Sequence, residues 1–314
     1  MKSIKAKQII SEYSSWLALL ALILVSAGMN RGDFLSFTNI SNLLRQISML
    51  GISAIGVNFI VIAGCKDLSV GGMAAVCSMI AAHLSGFGLP VVLFGGLLAA
   101  FAMGCLNGVL VAKLKIMPFI ATLGTMIAYK GIALLLNDSK SLAAQDGDGP
   151  FGFLGKGIVL GIPFPVIVFA LIAVCGILVS KHTRYGRAVY AIGGNEESAV
   201  MMGIPVERIK MILYIVSGLL SGLGGIMIAS RLNAGIPTTG DSWDMYTIAA
   251  VVMGGTMIRG GEGKISGAVA GVLIWGVIQN MINMMGDVSS YWQQIIMGLI
   301  LLAAVIIQNT VESK

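Results

Sequence analysis

Apolar residues in this chain run in long blocks separated by short polar breaks. Blocks long enough to span a bilayer, roughly 20 residues each, can be placed about ten times: 15–30, 43–63, 69–87, 90–112, 117–136, 159–180, 209–230, 245–258, 265–285 and 291–309. The pattern predicts an all-α membrane protein with about ten transmembrane helices. The block at 245–258 is short for a crossing, and the glycines around it leave room for a broken or tilted helix, so counts of nine or eleven are also compatible. Lys2, Lys5 and Lys7 precede the first block as they would in a secretory signal. No small-residue cleavage site followed by a soluble domain appears, and an uncleaved first helix is expected. Spans two to five and seven to ten form two groups of four. The odd number of crossings between them gives the groups opposite orientations, the arrangement of an inverted repeat, although no motif recurs cleanly in both halves.

Composition supports this reading. The chain is 57% hydrophobic and 11% charged, against about 25% charged in soluble domains. Among its 42 glycines, Gly104 and Gly108, Gly218 and Gly222, and Gly267 and Gly271 recur at i and i+4, where small residues let helices in lipid approach closely. Cys65, Cys77, Cys105 and Cys175 lie in or beside apolar blocks without C-x-x-C spacing and read as small packing residues.

Charge adds orientation. With an even number of crossings and the N-terminus inside, the inner segments hold Lys2, Lys5, Lys7, Lys66, Lys113, Lys115, Lys181, Arg184, Arg187, Arg208, Lys210, Arg259, Lys264 and Lys314. That distribution places both termini in the cytoplasm. The net charge of +6 is thereby explained by topology, without nucleic acid as a partner. Residues 1–314 read as a single transmembrane domain, with a cytoplasmic loop at 181–210 and an extracytoplasmic loop at 137–158 that carries Asp138, Asp146 and Asp148.

Candidate chemistry is sparse. Gly155-Lys156 and Gly263-Lys264 lack the upstream glycine and following Ser/Thr of a P-loop. His83 and His182 offer no metal cluster, and no nucleophile–base set or carboxylate dyad can be assembled, so the chain reads as non-enzymatic. Asp67, next to Lys66, is a helix cap with Ser69 or part of a gate or pathway. Asn58, Asn107, Thr122, Gln279 and Asn283 place uncharged hydrogen-bonding groups within apolar spans, suited to a polar solute's path or to interhelical hydrogen bonds. Lys130 reads as a snorkelling residue. The loop at 181–210 contains a short helix of its own: Asn195 caps it after Gly193-Gly194, Glu196 and Glu197 favour its positive end, Ala199, Val200 and Met202 supply small or apolar contacts, and Gly203 ends it before Pro205. Such a helix tiles the membrane face or docks a cytosolic partner.

Several motifs, in order from about residue 37 to 308, resemble those of bacterial ABC importer permeases for monosaccharides of the ribose type. They are Asp67-Leu68-Ser69-Val70-Gly71; Pro118-Phe119-Ile120-Ala121-Thr122-Leu123-Gly124-Thr125; Thr183-Arg184-Tyr185-Gly186-Arg187 with Tyr190-Ala191-Ile192-Gly193-Gly194-Asn195-Glu196; Ala249-Ala250-Val251-Val252-Met253-Gly254-Gly255-Thr256; and Ser289-Ser290-Tyr291-Trp292-Gln293. The set is specific where each piece alone is weak. The resemblance implies a type II importer-like membrane core of two permease protomers, identical or related, in the inner membrane. A separate cytosolic ABC ATPase would bind ATP and Mg, and an extracytoplasmic sugar-binding protein would deliver substrate. It also implies that the segment Gly193 to Gly203, with Gly194, Asn195, Glu196 and Ala199, couples to the ATPase, and that no cofactor is bound by this chain. Lys66 stands where related sequences often carry an uncharged residue. Competing classes are a permease for branched-chain amino acids, nucleosides or a furanosyl signal, an ion-driven secondary transporter, and a non-transporting scaffold.

Overall fold

The computed structural model describes residues 14–29, 33–147 and 149–284, with isolated positions between 292 and 306. The expected span 291–309, the motif at 289–293, Asp148 and the basic residues Lys2, Lys5, Lys7 and Lys314 fall outside the described residues, apart from those isolated positions.

The long helices are α1 (Ser14–Met29), α2 (Phe37–Ile62), α3 (Val70–Leu84), α4 (Leu89–Gly108) and α5 (Pro118–Leu135), and their starts follow from local sequence. Ser36 caps α2 by accepting from the Asn39 amide, while Pro90 and Pro118 open α4 and α5 at first-turn positions that lack an intrahelical donor requirement. Helix α4 winds into a π-helical turn, Val109–Lys113, and breaks at Lys115, whose φ is 54°. A short α6 (Pro150–Lys156) precedes α7 (Phe164–His182). Two helices, α8 (Arg184–Gly194) and α9 (Glu196–Met201), follow, then α10 (Val206–Leu232), α11 (Trp243–Met253) and α12 (Ile265–Met284). Asn233 ends α10 in the left-handed region, at φ 56°.

Seven helices among the described residues are long and apolar enough to cross a membrane, and α1 and α11 are shorter apolar helices. Helix α2 lies at the centre: 89% of its most apolar window is buried, against 28% for α4, α5 and α7. Those three turn Phe94, Phe101, Ile127, Leu135, Leu171 and Leu178 outward, an arrangement that requires an apolar solvent. Helix α10 packs against α2, α3 and α4. Its close approach to α4 runs through glycine: a Cβ on Gly104 would sit 2.7 Å from the Tyr214 carbonyl oxygen, and one on Gly218 would sit 3.0 Å from the Gly104 Cα. The repeat at Gly267 and Gly271 likewise abuts the backbone of Gly254 and Ala250, seating α12 on α11.

The segment 137–158 is more structured than a polar loop. Leu142–Ala143 pairs antiparallel with Ala234–Gly235, and α6 buries Phe151 and Leu154. Asp146 accepts from the Phe151 amide, while Ser230 on α10 accepts from the Gly155 amide and donates to the Phe151 carbonyl. Seven residues are too few to show a helical period, which is why this element is invisible in the pattern. The expected span 245–258 is helical only to Met253; Gly255, Gly260 and Gly261 then adopt positive φ and turn the chain back.

Candidate functional site

The charged segment at 181–210 folds as two helices. Thr183 caps α8 by accepting from the Gly186 amide at 3.0 Å, and α8 buries Gly186, Val189 and Ile192 on one face. The i, i+3 spacing of Val189 and Ile192, extended by Tyr185 and Ala188, is the signal that identifies this helix. Asn195 ends α8 and caps α9, its side-chain oxygen accepting from the Ser198 amide at 2.8 Å. Gly203, at φ 76°, follows the last turn of α9.

Gly193 presses against the backbone of Ile62 and Gly261, and the Gly261 amide donates to the Ile62 carbonyl at 2.8 Å. Tyr190 donates to the Gly263 carbonyl at 2.8 Å. The turns at 62–66 and 255–264 and the end of α8 therefore form one platform beneath α9. Ala199 is buried, because on a six-residue helix lying on a surface one side must face inward. Val200, Met201 and Met202 are 57%, 85% and 67% exposed and form the outward apolar face. Beside them a groove of about 710 Å³ runs between α9 and the 111–118 break, lined by Lys115, Met117, Pro118, Glu196, Val200 and Glu207 among others. Lys115 and Glu207 face one another at 3.9 Å.

From α9 a line of polar contacts enters the bundle along one face of α10. Lys210 contacts both carboxylate oxygens of Glu196 at 2.7 Å. One turn on, Tyr214 donates to the Lys66 carbonyl at 2.8 Å, and Ser217 donates to Asp67 Oδ2 at 2.9 Å. Positions 210, 214 and 217 share a face at i, i+4 and i+7, a polar stripe readable in the sequence. Asp67 is fully buried. Its Oδ1 accepts from the Ser69 amide at 3.0 Å and from the Ser69 hydroxyl at 2.6 Å. Ser69 in turn accepts from Asn107 Nδ2 at 2.7 Å. Burial pushes the Asp67 carboxyl above the ordinary carboxylate range, opposed by the hydrogen bonds from Ser69 and Ser217.

Asp67 accepts from the backbone amide of Ser69, the residue that precedes α3, and Ser69 makes no side-chain cap bond at the start of that helix. Asp67 and Asn107 are brought together in one network. Asn58 lies in another, donating to the Lys264 carbonyl at 3.2 Å and accepting from Thr256 at 2.8 Å. The Thr122 hydroxyl donates to the Pro118 carbonyl of its own helix at 2.8 Å. Gln279 lines a cavity at the far end of α12, and Asn283 is exposed one turn beyond. Their neighbour Asn280 forms a reciprocal amide pair with Asn39, at 3.1 and 2.9 Å. Lys130 is paired with Asp241 at 3.0 Å, so its charge meets a carboxylate at the end of α5 as well as water.

Comparison with known proteins gives this geometry a context. The family model described as "Branched-chain amino acid transport system / permease component" matches residues 39–305. The ribose import permease protein of Haemophilus influenzae is 39% identical over 307 residues, covering 96% of this chain and 94% of its own. The ribose import permease protein of Bacillus subtilis is 38% identical over 310 residues, covering 98% and 96%. The L-arabinose transport system permease protein of Escherichia coli is 38% identical over 293 residues, covering 92% and 88%. No solved structure matches the chain. With its helical bundle and a match over most of its length, the chain belongs to this family of transport-system permeases.

Proposed function

We propose that this chain is the membrane permease subunit of an ABC importer for a simple sugar of the ribose type. The observation that carries the reading is the near full-length similarity to ribose and arabinose permeases, joined to a capped surface helix tied by Glu196 and Lys210 to a long helix of the bundle. ATP and Mg would bind on a separate cytosolic ABC ATPase. An extracytoplasmic sugar-binding protein would supply the solute, and a second permease protomer would complete the pathway.

In this reading the chain crosses the membrane ten times with both termini in the cytoplasm, the apolar stretch 291–309 adding the last span. Spans two to five and seven to ten then run as inverted groups. The ATPase seats on Val200, Met201 and Met202 and on the groove between α9 and the 111–118 break. Movement of α9 pulls or pushes Lys210, and α10 carries the displacement to Asp67, Ser69 and Asn107 at the start of α3 and the end of α4. A rigid helix transmits a displacement better than a loop does, because its backbone hydrogen bonds resist compression.

The test is uptake into proteoliposomes that contain the permease with the ATPase and binding protein from the same source. ATP-dependent accumulation of D-ribose or L-arabinose supports the reading. Uptake without the ATPase would overturn it in favour of an ion-driven transporter. The description of the matching family favours a second reading, a branched-chain amino acid as solute, and leucine uptake in place of pentose uptake would select it.

A further inference from the structure

At the end of the bundle opposite α9 lies a cavity of about 170 Å³. Lys210 and Arg231 on α10 are separated by about 30 Å at 1.5 Å per residue, so this cavity is remote from the coupling platform. Four helices contribute to it. Gln46 comes from α2, Arg231 from α10, Trp243 and Tyr246 from the first turn of α11, and Trp275 and Gln279 from α12.

Its lining is largely apolar but carries polar groups at its edge. Trp243 and Trp275 are buried, and the Tyr246 and Trp275 rings meet with centroids 4.8 Å apart at a tilt of 52°, which fixes one aromatic wall. The indole N–H of Trp275 is buried with no hydrogen-bond partner. Buried donors in folded proteins are otherwise almost always paired. Two carboxamides and a guanidinium share the rest of the lining with Ile47, Met49, Leu50, Ile228 and Leu232, and no carboxylate is among the described residues that form it.

We infer that this cavity is a low-affinity subsite for a neutral monosaccharide within each protomer. The inference rests on the sugar-import reading above and names a place where the solute is held on its way through. A sugar ring presents a C–H face, which suits an indole or phenol ring, and a hydroxyl edge whose oxygens both donate and accept. Gln46 and Gln279 offer both roles, and Arg231 offers a planar set of donors. A free amino acid could pair its carboxylate with Arg231 but would bring an ammonium group to a lining with no carboxylate to receive it. Weak binding fits a site that must also let its occupant leave.

The experiment uses purified permease in lipid nanodiscs and follows tryptophan emission, since Trp243 and Trp275 line the cavity. D-ribose and L-arabinose should each give a saturable change, half-maximal in the millimolar range, and leucine should give none. Gln46→Ala and Gln279→Ala, truncations at positions with access to solvent, should each raise the half-saturating pentose concentration by about fivefold to tenfold, the effect of losing one neutral hydrogen bond. The inference falls if neither pentose gives a saturable change, if both variants respond as the wild type does, or if gluconate, an anion, binds more tightly than either pentose. Uptake by the complete importer is measured in parallel. Pentose uptake with a silent titration removes this subsite alone, whereas leucine uptake removes the sugar reading itself.

Discussion

The ammonium of Lys210 lies 2.7 Å from both carboxylate oxygens of Glu196, joining the short helix α9 to the first turns of the 27-residue α10. The Lys210 side chain is 12% exposed and that of Glu196 52%, so solvent screens the pair and its contribution to folding is under about 1 kcal/mol. Its value is positional. Glu196→Gln is expected to leave the melting temperature of the purified permease nearly unchanged while lowering ATP-driven uptake severalfold. Exchanging the two charges, Glu196→Lys with Lys210→Glu, should restore part of the uptake. Equal loss of uptake in the single and exchanged variants would show that the pair transmits nothing.

Asp67 gives a prediction about pH. Burial raises its carboxyl above the ordinary value of 3.8, so the folded state favours the protonated form. The associated stability is fully present below the unfolded value and is lost as pH rises through the folded one. Wild-type protein should therefore lose more thermal stability between pH 4 and neutrality than Asp67→Asn, which cannot ionise. Asp67→Ala should cost about 3 kcal/mol at neutral pH, because the hydroxyls of Ser69 and Ser217 lose a buried acceptor. Parallel melting curves for wild type and Asp67→Asn across this range would remove the argument.

The α4–α10 contact predicts a contrast between glycines. A Cβ on Gly218 would lie 2.8 Å from the Ala100 carbonyl oxygen and 3.0 Å from the Gly104 Cα. Both are backbone atoms, which no rotamer change can move aside. Gly218→Ala should destabilise by about 1–3 kcal/mol through overpacking. Gly124 on α5 has nothing within 4 Å of its Cβ position, and Gly124→Ala should be neutral or slightly stabilising, by up to about 1 kcal/mol from helix propensity. Thermal unfolding in one detergent measures both, and similar losses would contradict the packing.

Much of this was legible in the order of residues. Apolar blocks located the long helices because a segment that exposes no backbone polar groups to lipid must be helical and long. Asn195 announced α9 because an N-cap needs a short acceptor at one position. Tertiary closure was harder to see. Ser217 is one hydroxyl among several until α10 sets it against Asp67. Helix α6 stayed hidden because it is only about two turns long and its support comes from Ser230, far along the chain. The aromatic cavity draws on four helices, and no local spacing marks residues that meet only in the folded bundle.

The outward face of α9 carries the remaining prediction. Met201 and Met202 are largely exposed, unlike Ala199 beneath them, and an exposed methionine pair beside Val200 is flexible apolar surface of the kind that adapts to a partner. Met201→Glu adds charge to that face without removing any buried contact, so the melting temperature of the isolated permease should hold within about 0.5 kcal/mol equivalent, as for surface substitutions in general. Binding of the ATPase should weaken at least about tenfold, since a carboxylate forced into an apolar interface loses its hydration without a partner. Co-purification and ATPase stimulation by the permease read the effect. If both persist in Met201→Glu, the ATPase is held by the 111–118 side of the groove, and Lys115→Glu becomes the variant that should release it.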